Sequence, residues 1–242
     1  MYLTIEQVLE RNKARGYGYD ENKKIRPLTS EEFYTISCEM GLNQDNPQYR
    51  KMFDKFSKWV VRTLKVKTGL EIGSGPGYFL YSLNKLGLET RGMDGNSFSQ
   101  AYFKSKHPEF ADRYHLDPFF EQSYGEVDVL LTIEVFEHIN DEGLESVFKK
   151  IREQVKPKVI VFSSTPYADP NPGWDEQWGH INMKPIEAWD ALFAKNGFVV
   201  SKTIPPITAW ARMYVNESAL SEPKYRKLLE KQSWLARKLA RL

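Results

Sequence analysis

From residue 67 onward, short apolar runs alternate with stretches whose apolar positions recur every three or four residues. The first run, Thr68–Ile72, meets three glycines and then a helical pattern over 78–86, which Gly87 ends as a C-terminal cap. A second strand is predicted over 89–93, a helix to about Lys106, and a short strand at Tyr114–Leu116. Residues 127–133 form a continuous apolar run, the pattern of a strand covered on both faces. A helix over 142–155, a strand Val159–Ser163, a helix over 185–196 and strands over 198–203 and 209–215 complete the series. Such alternation predicts an α/β fold: a doubly wound, mostly parallel seven-stranded sheet.

The ends of the chain read differently. Residues 1–64 carry helical signals only. Thr4 with Gln7 forms a capping box before Ile5, Val8 and Leu9, and Thr29 with Glu32 forms another. Asn46 and Pro47 start a third helix with Phe53, Phe56, Val60 and Leu64 on one face. This segment is expected to be an N-terminal helical cap. Its polar loop, with Tyr17 and Tyr19, reads equally as a lid or a linker. Residues 165–182 are long for a connection and rich in Pro, Trp and Tyr, which points to function rather than disorder. Its Trp174, Trp178 and Tyr167 would pin the loop to the body or stack on a ligand. From Ser218 a basic amphipathic helix is predicted, with Tyr225, Leu228, Leu229, Leu235, Leu239 and Leu242 on one side. The expected division is therefore 1–64, 65–217 and 218–242.

Charge sharpens that division. The net charge is +2, yet residues 218–242 hold seven Lys/Arg against two Glu, leaving 27 basic against 30 acidic residues elsewhere. The tail helix is expected to pack on its own domain or on a twin chain, as in a homodimer. The other readings are an anionic membrane surface or an RNA backbone. A single cysteine, Cys38, allows no intrachain disulfide, and no apolar run suits a membrane span or a signal peptide. These features predict a soluble, cytoplasmic protein.

The candidate chemistry gathers at the strand ends. Gly73, Gly75 and Gly77 let a ligand approach the backbone closely, and the helix behind them points free N–H groups at the same place. Asp94 ends the second strand, 21 residues after Gly73, where a carboxylate accepts ribose hydroxyls. A glycine loop plus an acid does not separate a dinucleotide from another adenosine cofactor. The run Leu70-Glu71-Ile72-Gly73-Ser74-Gly75-Pro76-Gly77, reinforced by Asp94 and by residues 127–139, resembles the class I S-adenosylmethionine-dependent methyltransferases. The resemblance covers about 67–203 and implies their Rossmann-like sheet. It implies that Glu71 and the backbone at Gly73, Ser74, Gly75 and Gly77 hold the methionine part. Asp94, with Gly95 beside it, would take the ribose, Asp117 would lie near the adenine, and Glu134 would line the pocket.

Hydroxyl acceptors need a proton removed. If Glu134 begins a helical turn, Glu137 and His138 share its face, and His180 lies on the long loop over the same edge. Two carboxylates and two imidazoles suit a divalent ion, Mg²⁺ or Mn²⁺. The set Glu134, Glu137, His138 and His180, with Lys156-Pro157-Lys158 upstream of the fifth strand, resembles locally the small-RNA 2′-O-methyltransferases. That resemblance implies a metal site and an RNA acceptor. The metal-free reading makes His138, His180 and Glu137 the base cluster for a small-molecule or sugar acceptor. A third reading is a catalytically silent domain that binds the cofactor to regulate a partner.

Overall fold

The structure is a computed structural model that describes residues 2–118 and 120–230. Two helices open the chain, α1 (Ile5–Arg15) and α2 (Ser30–Glu39), each started by the expected capping box. Helix α3 (Pro47–Leu64) leads into β1 (Thr68–Ile72). The series continues with α4 (Tyr78–Lys85), β2 (Glu89–Asp94), α5 (Ser97–Lys106), β3 (Tyr114–Leu116) and β4 (Val129–Ile133). Then follow α6 (Asp141–Lys150), β5 (Val159–Ser163), α7 (Trp174–Trp178), α8 (Ile186–Lys195), β6 (Phe198–Val200), β7 (Arg212–Asn216) and α9 (Pro223–Arg226). The strands form one sheet in the order β3-β2-β1-β4-β5-β7-β6. All pairings are parallel except those of β7, which runs antiparallel to both β5 and β6.

Alternation along the central strands sends side chains to two cores. Val129, Leu131, Val159 and Val161 face α3 and α4, meeting Phe53, Phe56, Val60, Phe79 and Leu83. Leu130, Ile160 and Phe162 face α6 and α8, meeting Phe148, Trp189 and Phe193. Phe193 stacks on Tyr214 of β7 at 3.8 Å between ring centroids. The third helix of the predicted cap therefore belongs to the sheet's own packing, so a boundary at residue 64 divides α3 from its core. The cap proper is α1 and α2. They pack through Val8 and Ile36 against Trp174 of α7, inside the long loop after β5. Buried Asn12 donates to Gln177 at 2.8 Å and the Leu28 amide donates to the Gln177 carbonyl at 2.8 Å.

Three expectations need correction. The β4 run begins at Val129, because Val127 and Asp128 are used in backbone bonds to Val155 and Thr68 outside the ladder. The helix predicted to reach Val155 is regular only to Lys150 and closes in a wider π-helical turn, Ile151–Val155. No continuous helix starts at Ser218. Residues 217–221 make a 3₁₀ turn, α9 has four residues, and a second 3₁₀ turn spans Lys227–Leu229. Pro223 restarts the chain there, and the segment folds back so that Tyr225 and Leu228 enter the α3–α4 core. The remainder of that predicted helix, 231–242, lies outside the described residues.

The fold rests heavily on the aromatic cluster over α8. Replacing fully buried Phe193 with alanine is expected to remove about 3–5 kcal/mol of stability. Thermal unfolding should then show a midpoint lowered on the order of 10 °C.

Candidate active site

The order of the strands reverses between β1 and β4, so their crossovers leave in opposite directions and open a crevice at the carboxyl edge. The residues singled out from the sequence gather there. Gly73 follows β1, Asp94 ends β2, Asp117 follows β3, and Glu134 follows β4. Two cavities meet at this edge, of about 530 Å³ and 690 Å³, and share Gly73, Asp94, Gly95, Val135 and His138.

The glycine loop is held by close approach from behind. Gly73 has φ 72°, and a Cβ there would fall 2.3 Å from the Val135 side chain. Gly77 has φ 78°, and a Cβ would fall 2.1 Å from Phe103. Only glycine meets both demands. Asp94 bridges strand ends, accepting from the Gly75 amide at 2.8 Å and from the Asn96 amide at 2.7 Å. Burial pushes its carboxyl upward, and these amides pull it back. Tyr114 donates to the Gly75 carbonyl at 2.7 Å.

Glu71 is buried beneath the loop and accepts from the Leu80 amide at the start of α4, 3.1 Å away. Loss of water pushes its carboxyl up to about 8, with the Asp94 charge adding to the shift. A buried acid in this state lies beside the first cavity. Asp117 lies in the second cavity, where its carboxylate is already engaged by the Glu121 and Gln122 amides and the Tyr124 hydroxyl. It organises its own loop.

After β4 the chain departs from the predicted helical turn. Glu134 sits in the left-handed region, φ 54°, and a 3₁₀ turn begins only at Phe136. A non-glycine residue held there costs about 1–3 kcal/mol, the kind of strain that aims a side chain. Glu134 stands outside the group that the other three members of the predicted set form, although its charge lies close enough to act on Glu137. Its carboxylate receives Trp210 Nε1 at 3.0 Å and the Ser163 hydroxyl, and it lines the first cavity.

Glu137, His138 and His180 do converge, each offering a ligand atom within 4.8 Å of the others. Backbone bonds bring the loop to the turn. The Ile181 and Asn182 amides both donate to the Glu137 carbonyl at 2.9 Å. His138 and His180 stand edge to face, 5.0 Å between ring centroids. His138 Nδ1 meets the Gly179 carbonyl at 3.2 Å, and burial, helped by His180, pushes its imidazole down to about 4. Burial thus favours its neutral form. His180 Nδ1 meets Asp175 Oδ1 at 2.7 Å. Glu137 is fully buried, and neither carboxylate oxygen has a hydrogen-bond partner among the described residues. Its carboxyl is pushed up to about 8 by burial first and by the Glu134 charge second.

The sequence reading missed Asp175, Ser163 and Trp210. Asp175 lies five residues before His180 in the same loop, a signal that was available. Nothing local marks Trp210, which reaches Glu134 across 76 positions. Trp174 and Trp178 dock on the cap, while Tyr167 stays 73% exposed.

A methyltransferase-domain family model matches residues 44–203. The chain belongs to this methyltransferase family. The match spans the glycine loop and every strand end of the crevice. Solved structures share the fold. One is the mitomycin 7-O-methyltransferase MmcR, 16% identical, TM-score 0.54, over 76% of this chain and 56% of that one. An O-methyltransferase family protein from Burkholderia thailandensis is 13% identical, TM-score 0.53, over 77% and 58%. The methyltransferase domain of bacterial CtHen1-C is 20% identical, TM-score 0.51, over 68% and 98%. The methyltransferase thus spans under two thirds of the two O-methyltransferases. No curated protein sequence matches it. No described helix is long and apolar enough to cross a membrane.

Glu71 gives the methyltransferase a pH signature. Burial favours its protonated form below about 8, so pairing with a ligand's ammonium would require proton release. Affinity for S-adenosylhomocysteine should rise with pH toward 8, by up to roughly tenfold per pH unit, and Glu71→Gln should flatten the slope. Calorimetry in two buffers of different ionisation enthalpy reads the released proton directly.

Proposed function

We propose that the methyltransferase moves a methyl group to an oxygen of a small molecule or sugar bound beneath the N-terminal cap, with proton removal by the His138–His180–Glu137 cluster. One observation carries this reading. The cavity of about 530 Å³ lies between the glycine loop, the cap and His138, and among the described residues no lysine or arginine lines it. A polyanionic acceptor would bring phosphates into a site with no cations to meet them.

The residues fit S-adenosylmethionine. Glu71 is a buried acid beside the cavity, suited to an ammonium, and Asp94 presents a carboxylate at the end of β2, suited to ribose hydroxyls. Gly73, Ser74, Gly75 and Gly77 would bring their backbone to the methionine part, Glu134 would line it, and Gly95 with Asp117 would border the adenosine side. When bound, the cofactor supplies a methyl group on a sulfonium whose thioether is the leaving group. The protein's share is orientation and proton removal. Asp175 holds the Nδ1–H of His180, which leaves Nε2 as the proton acceptor. His138, kept neutral and fixed by Gly179, stands between that imidazole and the cavity wall. As the acceptor oxygen bonds to the methyl carbon, the hydroxyl proton passes to this pair.

A second reading has its own observation. Glu137, His138 and His180 lie within reach of one ion, and the two unpartnered oxygens of Glu137 suit a cation. They would hold Mg²⁺ or Mn²⁺, which would lower the pKa of an acceptor hydroxyl, as in metal-dependent ribose 2′-O-methylation of RNA. Glu134, turned toward Trp210, stands outside that group.

The two readings separate on one assay, release of S-adenosylhomocysteine across a panel of hydroxyl acceptors. The first expects turnover undiminished by EDTA. Loss with EDTA and recovery with Mn²⁺ or Mg²⁺ would establish the second, and cofactor binding without any turnover would leave a silent domain. For the base cluster, His180→Ala should lower kcat about 10²- to 10⁴-fold at unchanged cofactor affinity. An unaltered kcat would remove His180 from the reaction.

A further inference from the structure

The walls of the cavity beneath the cap bear on what is methylated. On one side Phe33 of α2 and Trp178 of the long loop meet edge to face, 4.6 Å between centroids. On the other, Tyr49 and Tyr78 meet at 5.5 Å. All four line the cavity, and Phe33, Tyr49 and Trp178 are only half-buried. Aromatic surface left open at a concave wall favours an aromatic occupant, which meets rings edge to face or offset. The polar groups the cap adds are few, the hydroxyls of Ser30 and Ser37.

We propose that the acceptor is a neutral aromatic ring carrying hydroxyl groups, a phenol or catechol, held between the Phe33–Trp178 and Tyr49–Tyr78 walls. This rests on the methyl-transfer function proposed above. One ring oxygen faces His138 at the cavity wall. A sugar of this size brings four or five hydroxyls, most of which would lose water without gaining a partner against these walls. A cationic amine would draw on the acids of the cavity. Those are Glu71 and Asp94 on the cofactor side and Glu134, one oxygen of which already takes Trp210 and Ser163. A neutral ring needs none of them.

The test is binding to the full chain saturated with S-adenosylhomocysteine, by titration calorimetry with four probes: catechol, methyl α-glucoside, phenethylamine and an oligouridylate. Catechol is expected to bind at least roughly tenfold tighter than the other three. Phe33→Leu should weaken catechol about fivefold while cofactor affinity stays unchanged, which also shows that the variant is folded. Equal or tighter binding of any other probe overturns the inference. So does absence of catechol binding to cofactor-loaded protein, or a Phe33→Leu variant that binds catechol like the parent. Each of those results leaves methyl transfer standing. Failure of S-adenosylhomocysteine to bind would instead strike the methyl-transfer reading, and this inference with it.

Discussion

The reversal of strand order between β1 and β4 is the constraint on which the site depends. Right-handed crossovers from these two neighbours must cover opposite faces of the sheet. Neither helix can close the space above both carboxyl ends. The chain fills that edge with side chains drawn from four strand ends, and the glycine loop survives there because Val135 and Phe103 press on it from behind. The two large aromatic and aliphatic cores below keep this frame rigid. The polar groups at the edge can then be held in states that they would not choose in water.

Those states are the electrostatic character of the site. Glu71 and Glu137 are acids whose burial favours the neutral form, while His138 is a base whose burial does the same. Glu134 stays in a strained backbone position, anchored by Trp210. Buried polar groups without partners oppose folding, and a chain keeps them where a ligand completes them. The cavity beside these groups is large enough for one.

The loop between β5 and α8 couples the parts. Its Trp174 and Gln177 hold the cap, its Asp175 orients His180, and its end is tied to the Glu137 carbonyl by two amides. Its tryptophans therefore serve mainly as anchors, and Trp178 also forms part of the cavity wall. The cap, the Glu137–His138–His180 cluster and the aromatic cavity wall are thus one packed unit, so a change in the loop should be felt in all three.

Much of this was legible along the chain. Period and turn chemistry gave the seven strands, because strands buried on both faces must be apolar and loops at ligand edges need glycine. Asp94 and the glycine loop pointed to an adenosine-type ligand, since those demands are local, and the family resemblance of the run around Glu71 narrowed it to S-adenosylmethionine. Element ends were less legible: Val127, the 151–155 turn and Pro223 are decided by what the backbone meets across the sheet. The turn after β4 shows the limit most clearly. Sequence spacing places Glu134, Glu137 and His138 on one helical face, yet a left-handed Glu134 ties a carboxylate oxygen to Trp210, and it is Glu137, His138 and His180 that converge. The sequence by itself determined the fold class, the family and the cluster of candidate bases, for these follow from local periodicity and short-range motifs. Which acid joins which histidine, and what surface meets the acceptor, was decided only in three dimensions, by contacts between residues tens to more than a hundred positions apart.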